Sequence, residues 1–217
     1  MNRQIKYIIW DWNGTLIDDA WLFVEIMNGE LKERNLPLIT TLDYRKQFTF
    51  PVKKYYENLG FNFEKENFKK VGYNFIQKFK KRKFEAQLFP DTIQLLNLAE
   101  QQGIKQSIVS AQENSLLNET VKHYQVDQYF QSISGIEHYY ADNKIQIAKK
   151  LREKINYPNE NIVIIGDSSH DFDVAQALGV ECILFSGGHY SKKRLQKNNC
   201  VIIEQHNELK KYITLKD

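Results

Sequence analysis

The sequence predicts an α/β fold: a doubly wound, Rossmann-like parallel sheet with a small all-helical insert near its start. Three observations carry this. Residues 1–17 and about 88–217 alternate short β-rich apolar runs with helical patterns, as strand–helix–strand crossovers require. Most of those runs are continuous rather than alternating, which marks strands covered on both faces. Residues from about 19 to 85 show no convincing strand, and they hold 14 of the chain's 28 aromatic residues. The expected organisation is a core of residues 1–17 and 88–217, with a helical cap over 18–87.

The strand candidates, in order, are Ile5–Trp10, Ser107–Val109, Phe130–Ile133, Asn161–Ile165, Glu181–Phe185 and Val201–Ile203. Between them a helix is expected from Asp91 or Thr92 to about Gln102, with Gly103 as its stop. Others are expected near Ser115–Tyr124 and over Lys144–Ile155, the latter with Ile147, Ala148, Leu151 and Ile155 on one face. A fourth covers Phe172–Leu178 and ends at Gly179, a natural C-terminal glycine. In the insert, Leu22, Val24, Ile26 and Leu31 suit one helix, and Phe68, Val71, Phe75 and Phe79 fall on one face of another. Residues 52–83 carry ten Lys/Arg against three Glu, read as a solvated face with attraction of an anionic substrate as the secondary reading.

Composition narrows the function classes. A length of 217 residues suits one α/β domain with an insert, and 42% apolar content with 13% aromatics argues against disorder. A formal charge of +3 argues against wholesale nucleic-acid binding. Cys182 and Cys200 suggest neither a zinc spacing nor a disulfide framework. No apolar run approaches a membrane span and no signal-peptide pattern opens the chain, so a cytoplasmic location is expected.

In a parallel α/β sheet the ligand lies beyond the carboxyl ends of the strands, so the residues just after each strand matter most. Strand one delivers Asp11-Trp12-Asn13-Gly14-Thr15-Leu16. A carboxylate there has no packing role, and Asn13-Gly14 is a tight-turn dipeptide that lets the chain reverse at once. The second strand delivers Ser110, then Ala111 and Gln112, whose hydroxyl and backbone N–H groups could hold a phosphate oxygen or merely cap a helix. Gly166-Asp167-Ser168-Ser169-His170-Asp171 sets two carboxylates around a strand-to-helix turn, either converging on a hard cation or, through Asp171, capping the helix. Lys144 begins the preceding helix. Asp11, Ser110 and Asp167 together supply a nucleophile, a phosphate-oxygen donor and a metal ligand.

The order Asp-x-x-Gly-Thr-Leu-x-Asp, apolar strand plus Ser, Lys, and Gly-Asp-Ser-x-x-Asp resembles the haloacid dehalogenase-like hydrolase superfamily. Within it the chain is most similar to the phosphoglycolate phosphatase-like group, which carries a helical cap after the first motif. Phe89-Pro90-Asp91 resembles the link from cap back to core, and Ser186-Gly187-Gly188-His189 a loop bordering the site. The resemblance implies a Mg²⁺-dependent phosphohydrolase acting on a small phosphorylated substrate, with no nucleic-acid or membrane partner. Asp11 would attack phosphorus. Mg²⁺ would be held by Asp11, the backbone carbonyl of Asn13 and Asp167, with Asp171 a direct ligand or one step removed. Phosphate contacts are implied at Asp11, Gly14, Ser110, Ala111, Gln112 and Lys144, and the catalytic set would be Asp11, Asn13, Ser110 and Lys144.

One position departs from the pattern. The family's phosphatases usually carry a second aspartate two residues after the nucleophile, and this chain has Asn13. An amide neither gives nor takes a proton near neutral pH. The readings that follow are a slow phosphatase, an enzyme for activated phosphates or one borrowing an acid–base group from the cap, His189 or the substrate, a catalytically weak phosphate-ligand sensor or partner-binding protein, and a non-phosphatase reaction. His170, Lys192, Lys193 and Arg194 read as surface residues, while His189 after a Gly-Gly loop is open to function.

Overall fold

The computed structural model of the protein describes residues 4–137 and 144–213. Its centre is a strand of four buried residues, β1 (Tyr7–Trp10). Two-residue strands β2 (Ile17–Asp18) and β3 (Gln87–Leu88) pair antiparallel where the chain leaves and re-enters the core. The other core strands are β4 (Lys105–Glu113), β5 (Ile133–Ile136), β6 (Ile162–Gly166), β7 (Glu181–Phe185) and β8 (Val201–Ile203). They form one parallel sheet in the order β5-β4-β1-β6-β7-β8. The chain winds outward from β1 to β5 and then crosses back to β6, so β1 stands at the switch of direction. That is where such sheets open a crevice.

Helices α5 (Thr92–Gln101), α6 (Asn114–His123), α7 (Lys144–Arg152) and α8 (Ser169–Leu178) cover the sheet. Two apolar clusters result, one on each face: Ile8, Trp10 and Ile165 point to one, and Tyr7, Ile9 and Ile164 to the other. This division of adjacent residues between faces is why the strands read as continuous apolar runs. Gly179 closes α8 at φ +66°, a left-handed conformation that favours glycine.

Two strands differ from their sequence patterns. The run Phe130–Ile133 packs against the core, but residues 127–129 form a short helical turn and the strand proper starts at Ile133. Just ahead of it the Gln131 N–H donates to the Gln106 carbonyl at 2.7 Å and the Ile108 N–H to the Ser132 carbonyl at 2.9 Å, so the chain meets β4 before the strand begins. The strand expected at Ser107–Val109 runs from Lys105 to Glu113 because buried polar residues extend it. The Gln106 amide, for instance, accepts from Trp10 Nε1 at 3.0 Å and donates to the Leu96 carbonyl at 3.0 Å. Helix α8 starts three residues early, at Ser169, through a capping box between Ser168 and Asp171.

Between β2 and β3 the chain is helical: α1 (Ala20–Glu33), α2 (Thr41–Gln47), α3 (Val52–Asn58) and α4 (Phe68–Arg82). Helix α1 buries Leu22, Val24, Ile26 and Leu31, and α4 buries Val71, Phe75 and Phe79. Phe23 joins the two helices, its ring 5.5 Å from Phe75 and 5.0 Å from Phe79. Part of the basic run is paired. Lys78 holds the buried Glu30 at 2.7 Å and Glu33 at 2.8 Å, Arg82 holds Glu25 and Glu85, and Lys83 holds Glu119.

The last helices are the single turns α9 (Lys192–Leu195) and α10 (Lys210–Ile213). Lys192 is exposed beside Glu204, but Arg194 is not a free surface cation. Its guanidinium lies 3.6 Å from the Tyr190 ring centroid and donates to the Phe48 carbonyl at 2.5 Å. Among the described residues no helix is long and apolar enough to cross a membrane.

Candidate active site

Strand register assembles the site. Trp10 lies opposite Ile108 of β4 and Ile165 of β6. Asp11 therefore stands one residue, and Ser110 and Asp167 two residues, beyond a single row of paired backbone. All three are buried. Oxygens of Asp11, Asp167 and Asp171 lie within 4.8 Å of one another.

Lys144 enters from the first turn of α7. Its Nζ donates to Asp11 Oδ1 at 2.6 Å and to Asp171 Oδ1 at 2.5 Å. Burial works against that ammonium, and the two carboxylates outweigh it, holding the lysine charged. Asp171 spends its other oxygen on the Ser168 hydroxyl at 2.7 Å and on the backbone N–H groups of Ser168 and Asp167. Lysine and hydrogen bonds together hold its carboxyl below the usual range against the effect of burial. Asp171 is thus the cap of α8 and an anchor for Lys144 at once.

The turn after β1 closes as its dipeptide predicts. Gly14 has φ +72°, and its N–H donates to the Ile17 carbonyl and to Asp19 Oδ1, both at 3.0 Å. Its N–H is thus engaged within the turn. What the glycine supplies is proximity: a Cβ there would overlap both His189 and Asp167. Gly188 is pressed in the same way against Asp167 and the Gly14 carbonyl. Gly188→Ala is accordingly expected to lower the melting temperature by several degrees and to weaken activity more than stability, read by thermal unfolding beside steady-state rates.

Asp19 is the residue that sequence reasoning missed. It is fully buried and accepts from Asn13 Nδ2 at 2.5 Å and from Gly14 N, while His189 Nε2 lies 3.1 Å away. Two adjacent aspartates followed Ile17 in the sequence, but only Asp18 fell on the motif. His189 Nδ1 is 2.7 Å from the Tyr44 hydroxyl, and the His189 N–H donates to Asp167 Oδ2. Burial alone would push this imidazole down, yet Asp19, Asp167 and Asp11 raise it to about 9. It is a cation at neutral pH, donating through both ring nitrogens. From α2, Arg45 donates to the Gly187 and Gly188 carbonyls at 2.6 and 2.7 Å, which fastens the helical insert to this loop.

Four buried carboxylates (Asp11, Asp19, Asp167, Asp171) thus face two buried cations, Lys144 and His189. The deficit of two charges shows in the free acids. Burial, reinforced by neighbouring carboxylates, pushes Asp11 up to about 6 and Asp167 up to about 8. All-oxygen donors whose fully ionised form carries two more negative charges than the cations facing it fit a hard divalent cation. Ser110 accepts from the Gln112 N–H at 3.1 Å, and Ser110, Ala111 and Gln112 line the same cavity as Asp11, Asn13 and Lys144.

A family model for haloacid dehalogenase-like hydrolases matches residues 8–185, which includes the four carboxylates, Ser110 and Lys144 and stops short of His189. The chain belongs to that family. Within the haloacid dehalogenase-like fold, a Streptococcus pneumoniae family member superposes with a TM-score of 0.82 at 20% identity, covering 97% of this chain and 99% of that one. A Clostridium acetobutylicum protein described as a predicted phosphatase gives 0.79 at 20% identity, over 97% and 98%. The Mycobacterium tuberculosis tyrosine-protein kinase PtkA gives 0.81 at 19% identity, over 97% and 98%. Its curated sequence is 20% identical over 105 residues, covering 46% of this chain and 35% of PtkA. The match spans under half the length of the curated relatives, 35% and 43%.

Proposed function

We propose that this haloacid dehalogenase-like protein is a divalent-cation-dependent phosphatase whose nucleophile is Asp11. The observation that carries the reading is Asp11 itself: a buried carboxylate one residue past the central strand, with Lys144 Nζ 2.6 Å from one oxygen and Asp167 close by. Asp11 attacks phosphorus, the bond to the leaving oxygen breaks, and water then releases phosphate from the aspartyl-phosphate. Lys144 and Ser110 hold the phosphoryl oxygens, and Lys144 keeps Asp11 oriented. A loose transition state asks mainly for such positioning and charge. Residues 18–87 act as a cap that closes the cavity and sets which substrates enter. The description of the C. acetobutylicum neighbour as a phosphatase agrees with this reading, and the naming of PtkA as a kinase keeps phosphoryl transfer in view.

Asp11, Asp167 and the Asn13 carbonyl are the groups that would hold Mg²⁺, with Asp171, which anchors Lys144 and the Ser168 turn, a direct ligand or one step removed. When bound, the cation draws the phosphate against Asp11 and offsets its charge. The dependence has a readout besides turnover. Without the cation, Asp11 and Asp167 titrate above their unfolded range of about 4. Groups raised in this way stabilise fully below pH 4 and lose that contribution as pH climbs through about 6 and about 8. Mg²⁺ is therefore expected to raise the melting temperature more at pH 8 than at pH 5. Equal shifts at both pH values count against a cation at these carboxylates. The function itself is tested by hydrolysis of acetyl phosphate and p-nitrophenyl phosphate with Mg²⁺ and with EDTA, the reading requiring turnover that EDTA abolishes.

A further inference from the structure

Beside the acidic cluster lies a cavity of about 580 Å³, within the range that holds drug-sized ligands. A phosphate carrying two or three carbons would leave most of it empty. Beyond Asp11, Ser110, Lys144 and Asp167 its wall is aromatic: Phe23 of α1, Phe48 after α2, Tyr55 of α3, and Phe68, Phe75 and Phe79 of α4. These rings meet edge-on or tilted, Phe48 to Tyr55 at 5.3 Å and Phe23 to Phe79 at 5.0 Å. Such a wall presents ring faces and edges to a flat guest.

The polar groups along this wall are few. Among the described residues the buried Tyr55 hydroxyl has no hydrogen-bond partner, and neither does either carboxamide atom of the buried Gln112. Lys53 and Lys69 line the cavity from exposed positions, and Lys53 also sits 3.7 Å from Glu57. Each substrate hydroxyl buried without a partner is penalised. Set against this aromatic wall, these polar atoms suit one or two polar substituents on an apolar ring better than a polyhydroxylated sugar.

A second observation, independent of the cavity, concerns the leaving group. Asn13 stands where an acid would protonate the departing oxygen, and its amide is turned onto Asp19. An aliphatic alcohol leaves with a pKa near that of water, about 16. A phenol leaves at about 10, so its oxygen can depart as the phenolate.

Building on the phosphatase reading, we propose that the substrates are phosphate monoesters of aromatic alcohols. The Asp11 oxygen–phosphorus bond forms as the phosphorus–aryl oxygen bond breaks. The electron pair stays on the phenolate, which takes its proton from solvent. Water then adds to phosphorus, the Asp11 carboxylate is regenerated and dihydrogen phosphate leaves.

The test uses the full chain with Mg²⁺ and compares phenyl and 1-naphthyl phosphate with glycerol 3-phosphate, glucose 6-phosphate and acetyl phosphate. Aryl phosphates are intrinsically more reactive, so binding is measured as well, by calorimetry on Asp11→Asn, which cannot turn substrate over. The expected result is at least 100-fold higher kcat/KM and at least 10-fold tighter binding for the aryl esters than for the glycerol and glucose esters. Equal or tighter binding of the glucose or glycerol ester overturns the aryl assignment, while turnover of acetyl phosphate leaves the phosphatase standing. No turnover of any compound, acetyl phosphate included, overturns the phosphatase reading and this one with it. Tyr55→Phe, which keeps the ring, should weaken a hydroxyphenyl phosphate several-fold more than phenyl phosphate. A loss on both alike means that Tyr55 serves the fold rather than the guest.

Discussion

Replacing Asp11 by asparagine is expected to lower kcat/KM on every phosphate ester by more than about 10³-fold while the protein stays folded. The amide oxygen can still accept from Lys144 Nζ, now 2.6 Å from Asp11 Oδ1, so the position of the lysine is kept. What is lost is the anionic oxygen that bonds to phosphorus. Stability should hold or improve in the absence of cation, because the exchange removes one of the four crowded carboxylates. Lys144→Met makes a sharper comparison. It leaves Asp11 and Asp171 as unpaired buried charges, an arrangement whose cost is typically about 3–5 kcal/mol. Steady-state rates, far-UV circular dichroism and thermal unfolding on both variants separate the roles. An Asp11→Asn protein as active as the parent ends the nucleophile assignment. One that is inactive and unfolded would place Asp11 in the fold instead of the chemistry.

The parts of this site that could be read from the sequence are those fixed by one strand and one turn. Continuous apolar runs located β1, β6 and β7 to within two residues, and the residue after a buried parallel strand has a known place. Asp11 and Asp167 therefore followed from β1 and β6 alone. Gly14 was legible as a turn but not as a packing constraint, since its neighbours His189 and Asp167 lie more than 150 residues away. Asp19 was hidden for a similar reason. Its partners are an amide six residues back and a histidine 170 residues on, and no period or spacing encodes that meeting. Tyr44 and Arg45 carry no signal in the sequence because what they grip, His189 and the carbonyls of Gly187 and Gly188, belongs to a distant loop. The basic run shows the same limit. Charge counted along residues 52–83 ignores Glu25, Glu30 and Glu33 of α1, which the fold sets against α4.

Asn13→Asp tests the missing acid, and the geometry says that the single exchange will mislead. The new carboxylate would stand at the position of Asn13 Nδ2, 2.5 Å from the fully buried Asp19 Oδ2. Two like charges at that distance cannot both ionise, so one of the pair takes a proton or the turn opens. Asn13→Asp alone is therefore expected to lower the melting temperature by several degrees and to gain little on alkyl phosphates. The informative protein is the exchange of the pair, Asn13→Asp with Asp19→Asn. It keeps an amide–carboxylate hydrogen bond between the two positions and moves the charge toward the substrate. An amide oxygen at position 19 can still accept from the Gly14 N–H and from His189 Nε2, although His189, without that carboxylate, should titrate below about 9. General acid–base help is worth about 10²–10⁴-fold, and it matters most for poor leaving groups. The paired exchange should accordingly raise kcat/KM on glycerol 3-phosphate by at least about 10²-fold and change phenyl phosphate by far less. Equal changes on the two esters would show that proton transfer to the leaving oxygen was never limiting, and that the amide at position 13 serves only to hold Asp19.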